Sequence, residues 1–131
     1  MEDRRVAEAC SEFAVVIAYL FGSQARGEQQ DGSDTDVAVL LEGELGLLER
    51  ERLANRLAGA LDLADVDLLV LNDASLELRG RVVQEGRPIF SADEARRVAF
   101  EVRTRSEYLD FLPTLQELTR SYLHRVADKG L

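Results

Sequence analysis

Residues 13–21 read Phe-Ala-Val-Val-Ile-Ala-Tyr-Leu-Phe, nine apolar side chains without a break. A helix or strand with one wet face alternates polar and apolar positions, and this run does not. At nine residues it is under half the roughly 20 needed to span a membrane. The adjacent β-branched Val15, Val16 and Ile17 favour an extended conformation. The segment therefore predicts a strand buried on both faces, which demands a sheet with covering layers on either side.

The remaining pattern supplies those layers. Residues 2–11 predict a short helix, and Thr35 to Leu41 a second strand. From Leu47 to Leu61, Leu53, Leu57 and Leu61 recur every fourth residue beside Ala54 and Ala58, the stripe of an amphipathic helix. Val66 to Leu71 predicts a third strand and Ala74 to Gln84 a helix closed by Gly86. Arg87 to Phe90 predicts a short fourth strand, placed at an edge by Pro88. Ser91 or Asp93 then starts a long helix with Ala95, Val98, Ala99 and Val102 on one face. Further along, Phe111, Leu115, Leu118 and Tyr122 share a side, and Pro113 either kinks the helix or opens a new one. The order is that of one α/β (α+β) sheet flanked by helices. A single domain over 1–131 is expected, with a core at about 12–91 and a helical extension at about 92–128.

Charge narrows the function classes. A formal net charge of −9 argues against broad electrostatic binding of nucleic acid, although bound metal ions can still bring a nucleotide to an acidic site. Cys10 is the only cysteine, so neither an intrachain disulfide nor a cysteine-based metal site is available. Met1-Glu2-Asp3-Arg4-Arg5 leads into a mixed-charge segment instead of a signal-peptide apolar stretch, and a cytoplasmic protein is expected.

The chemistry concentrates after the apolar run. Gly22-Ser23 ends the first strand, and Ser23 suits the N-cap of a following helix whose free N–H groups would face a phosphate. Glycine at 22 lets the backbone approach a ligand, and Arg26, about one turn on, offers a planar fork for another phosphate oxygen. The segment Gly27 to Ser33 is polar and reads as a loop. Ser33-Asp34-Thr35-Asp36 then heads the second strand, where alternation puts Asp34 and Asp36 on one face, roughly 7 Å apart along the backbone. Carboxylates gathered so closely repel unless a cation lies between them, and a pair of divalent ions is the known clamp for phosphoryl displacement. Taken singly, Gly-Ser is a common turn and Asp-x-Asp a common solvated junction. Their spacing, with strands on both flanks, is the informative feature.

Other phosphate and metal motifs fail on inspection. Gly22 to Gly27 has phosphate-loop spacing, but Glu28-Gln29 replaces the required Lys-Ser/Thr. Asp31 to Glu42 spans the length of a calcium loop, yet Asp36 occupies the glycine position. His124, the only histidine, reads as a surface residue of a helix, and Cys10 as an inert, partly buried thiol.

The stretch Phe21-Gly22-Ser23-x-Ala25-Arg26-Gly27…Ser33-Asp34-x-Asp36 resembles the polymerase-β-type nucleotidyltransferase superfamily, and within it the minimal MNT branch. The resemblance is specific over residues 19–41 and extends to about Phe90. It implies a small mixed sheet flanked by helices and Mg²⁺-dependent transfer from a nucleoside triphosphate, with two ions. Asp34 and Asp36 would be metal ligands, and Gly22, Ser23 and Arg26 would hold the nucleotide. It also implies a third carboxylate on a later strand. Asp65 and Asp67 share a face there, and the family habit of an aspartate just inside the apolar run favours Asp67 as metal ligand and helper base.

MNT proteins of this size resemble the antitoxin half of MNT/HEPN toxin–antitoxin pairs. That likeness implies AMP transfer from ATP to a tyrosine hydroxyl of a HEPN toxin partner, silencing it. The C-terminal stripe from Phe111 to Tyr122 would be a docking element or would pack on the domain's own sheet. An aminoglycoside-like small-molecule acceptor, or an antitoxin that merely occludes its partner, are the alternatives.

Overall fold

The computed structural model describes residues 4–22 and 35–128. Its elements are α1 (Arg4–Glu12), β1 (Val15–Phe21), β2 (Thr35–Leu41), α2 (Leu47–Ala60), β3 (Val66–Val70), a 3₁₀ turn (Leu71–Asp73), α3 (Leu76–Glu85), β4 (Arg87–Ser91) and α4 (Glu94–Asp128). The helix expected from Ser23 and the loop from Gly27 to Ser33 lie outside the described residues.

The strands form one mixed sheet in the order β3-β2-β1-β4, with β1 antiparallel to both neighbours and β2 parallel to β3. The apolar run thus lies inside the sheet, with every residue from Val15 to Leu20 buried, and Pro88 lies in an edge strand as expected. The run is not strand throughout. Phe13 and Ala14 turn out of α1, with Ala14 at φ 56°, and its carbonyl accepts from Glu42 N at 3.0 Å.

Alternation sorts the strand side chains onto two layers. One face presents Ala18, Leu20, Val37, Val39 and Val70 to α1 and α2, where Leu53 and Leu57 are fully buried. The other presents Ile17, Tyr19, Ala38 and Leu69 to Leu71, Val82 and Phe100. Ser75 caps α3 by accepting from Leu78 N at 3.2 Å, so that helix starts two residues later than Ala74. Asn72 bonds both backbone groups of Leu41 at 2.9 Å each, closing the far end of β2 as a further strand residue would.

The long last helix settles two alternatives that the sequence left open. It passes through Pro113 as one helix, and Asp93 is the residue that precedes it, accepting from Arg96 N at 3.3 Å. Its apolar face, with Ala95, Val98, Ala99 and Val102, points outward. The side against the protein carries Arg97, Phe100, Glu101, Thr104 and Tyr108 instead, because a buried tyrosine on β1 needs a polar partner there. Tyr108 crosses α3 at Gly80, where any Cβ would lie 2.3 Å from the ring. Phe111 is half-buried, whereas the side chains of Leu115, Leu118, Tyr122 and His124 lie outside the described residues.

Candidate active site

Strand polarity gathers the chemistry at one end of the sheet. β1 finishes where β2 begins, because the two are antiparallel, and β3 begins at that same end because it runs parallel to β2. The register is a row across three strands: Phe21 pairs with Asp36, and Asp36 pairs with Asp67. Directly paired residues point to the same side. Asp36 and Asp67 therefore share the α3/α4 face, with backbones about 5 Å apart across adjacent strands.

Gly22 closes the row at a φ of +89°, a conformation that side-chain-bearing residues rarely adopt. A Cβ there would lie 2.9 Å from Asp36 Oδ2, so a side chain at this position would push the Asp36 carboxylate aside. The strand-ending bend and the Asp36 carboxylate are in direct apposition. Asp36 is partly exposed and Asp67 exposed, so both are open to a ligand. Asp65 lies before β3 begins and outside the paired ladder, whose first pair is Thr35 with Val66.

Of the residues singled out in the sequence, the structure brings Gly22, Asp36 and Asp67 together. Ser23, Arg26 and Asp34 lie outside the described residues. Among the described residues no three carboxylate, histidine or cysteine side chains group closely enough for a metal, and the expected trio includes Asp34. The donor set is nonetheless all oxygen, which suits a hard divalent cation such as Mg²⁺.

One supporting contact escaped sequence reading. Tyr19, two residues before Phe21 and on its face, donates its buried hydroxyl to Glu101 Oε2 at 2.7 Å. Burial pushes the Tyr19 hydroxyl well above the tyrosine range, and the Glu101 carboxylate accepting its proton pushes it further. Arg97 pairs with the same carboxylate at 3.0 Å. This cluster fastens α4 to the strand that ends in Gly22. Its only sequence signal was a tyrosine within an otherwise apolar strand, whose hydroxyl had to find a partner.

The polymerase beta nucleotidyltransferase family model matches residues 5–95, which include this whole sheet end. The chain belongs to that family. Protein adenylyltransferase MntA of Shewanella oneidensis is 41% identical over 114 residues, spanning 87% of this chain and 81% of that protein. A crystal structure of a toxin–antitoxin with AMP-PNP contains a chain that superposes with a TM-score of 0.74 at 31% identity, covering 94% of this chain and 99% of that one. A structure of tri-AMPylated Shewanella oneidensis HEPN toxin in complex with MNT antitoxin gives a TM-score of 0.67 at 30% identity, over 88% of this chain and 91% of that one. As a nucleotidyltransferase of this family, the chain is an enzyme, and its sheet is the mixed one that the family resemblance implies. Among the described residues no helix is long and apolar enough to cross a membrane.

Proposed function

We propose that this chain is a protein adenylyltransferase of a cytoplasmic toxin–antitoxin pair, transferring AMP from ATP to a tyrosine hydroxyl of a HEPN toxin and so neutralising it. The observation that carries the reading is the Phe21–Asp36–Asp67 row beside Gly22, in a chain 41% identical to a protein adenylyltransferase. The AMP-PNP and AMPylated-toxin complexes of similar chains supply the substrate and acceptor class.

Asp34, Asp36 and Asp67 would hold two Mg²⁺, with Gly22, Ser23 and Arg26 on the triphosphate. When bound, such ions neutralise charge that develops on the transferring and leaving phosphates. The protein's own part is positioning. Gly22 admits the nucleotide backbone-close, since no Cβ intervenes between the bend and Asp36. Asp67, exposed at the edge of the row, accepts the proton of the incoming tyrosine hydroxyl. That oxygen attacks the α-phosphorus, the bond to the β-phosphate oxygen breaks, and pyrophosphate departs with the electron pair.

The test takes a HEPN-type protein encoded beside this chain's gene and reads its intact mass after incubation with this chain, ATP and Mg²⁺. The expected result is a gain of whole AMP units, lost when that protein's acceptor tyrosine becomes phenylalanine. A partner that is inhibited but unchanged in mass would contradict the proposal and indicate occlusion.

A further inference from the structure

The outward face of α4 carries a row of large apolar side chains: Val98, Val102, Leu109 and Leu123 are 50%, 57%, 58% and 60% exposed. At about 100° per residue all four fall within about 60° of arc. Val102 and Leu109 are one heptad apart and Leu123 two heptads further, with Gln116 at the position between, a spacing compatible with lengthwise packing along another helix. From Val98 to Leu123 the seam runs about 37 Å. The side of α4 turned to the protein carries Arg97, Phe100, Glu101, Thr104 and Tyr108, and the water-facing remainder shows this apolar row beside exposed charges such as Arg96 and Arg103. The apolar seam is therefore surplus to the chain's own packing.

Building on the toxin–antitoxin reading above, we propose that this seam is the docking surface for a long helix of the HEPN toxin. The family match stops at residue 95, where α4 has just begun. The likeness to the toxin–antitoxin chain covers 94% of this chain and so takes in most of α4. The helix lies beyond the nucleotidyltransferase core and inside what is shared with a toxin-bound relative. Arg105, within the same arc, lies 3.9 Å from Glu101, whose other oxygen holds Tyr19 and Arg97. A helix that fits carries apolar residues seven apart and a carboxylate opposite Arg105.

The experiment compares wild type, Val102→Glu/Leu109→Glu and Val102→Ile/Leu109→Ile by calorimetry for affinity to a HEPN-type protein encoded beside this chain's gene. Circular dichroism and thermal melting confirm the fold of each. The glutamate pair should weaken binding by roughly 30-fold or more, as expected for loss of central interface anchors, and the isoleucine pair should restore it. Equal affinity of wild type and the glutamate pair overturns the seam. So does a wild-type homodimer that the glutamate pair dissolves while toxin binding persists, because the occupant would then be a second copy. Binding lost in the glutamate pair, with wild type bound to a toxin it never labels, upholds the seam and counts against AMP transfer instead.

Discussion

The two faces of the sheet are held by different chemistry. On the α1/α2 side the contacts are apolar, with Leu53 and Leu57 pressed fully buried onto Val37, Val39 and their neighbours. On the α3/α4 side the layer includes a buried hydroxyl–carboxylate contact, an arginine on that carboxylate, and a ring laid over Gly80. Asp36 and Asp67 lie on this second side. Apolar packing is non-directional and tolerates small shifts, whereas hydrogen bonds fix orientation. One face thus supplies stability, and the other sets the position of the strand ends that carry the proposed site.

That division can be tested from strongest effect to weakest. Asp36→Asn should lower AMP transfer roughly 10³-fold, as removal of a central electrostatic group does, while leaving the melting temperature unchanged. Retained transfer would remove the carboxylate row from the mechanism. Leu53→Ala should cost about 2–5 kcal/mol of stability in urea denaturation, with the rate per folded molecule unchanged. A large rate change in the folded fraction would mean that the two faces are not separate in function.

Gly22→Ala should destabilise by about 1–2 kcal/mol through the left-handed backbone, and it also forces the Asp36 carboxylate aside. Its loss of transfer should exceed its loss of stability, which parallel rate and denaturation measurements would resolve. Tyr19→Phe should cost about 1–2 kcal/mol at neutral pH. Because the folded protein keeps this hydroxyl protonated beyond the range in which an unfolded tyrosine ionises, its contribution is complete below about pH 10 and fades as pH rises further. Wild type should therefore lose its advantage over Tyr19→Phe in denaturation series carried above that pH.

Much of this was legible in the chain because burial writes itself into the hydrophobic pattern. The run from Phe13 to Phe21 announced an interior strand, Pro88 an edge, and the i, i+4 leucines of α2 a covering helix. Periodicity could not tell which face of α4 turns inward. The usual rule puts Val98 and Val102 inside, and the helix instead follows the demand of Tyr19 for Glu101, a contact 82 residues away in sequence. Nor could alternation separate Asp65 from Asp67, since both share a face. Register distinguishes their positions, because Asp67 pairs with Asp36 and Asp65 precedes the strand. Pairing between strands is set by the whole sheet and leaves no local trace.

The most direct measurement is the number of Mn²⁺ ions bound in the presence of AMP-PNP, read by electron paramagnetic resonance for wild type, Asp36→Asn and Asp67→Asn. If the paired carboxylates of β2 and β3 form the cation site, wild type binds a pair of ions and each variant loses at least one. Full and equally tight occupancy in both variants would show that the Asp36–Asp67 row is not where the metals reside.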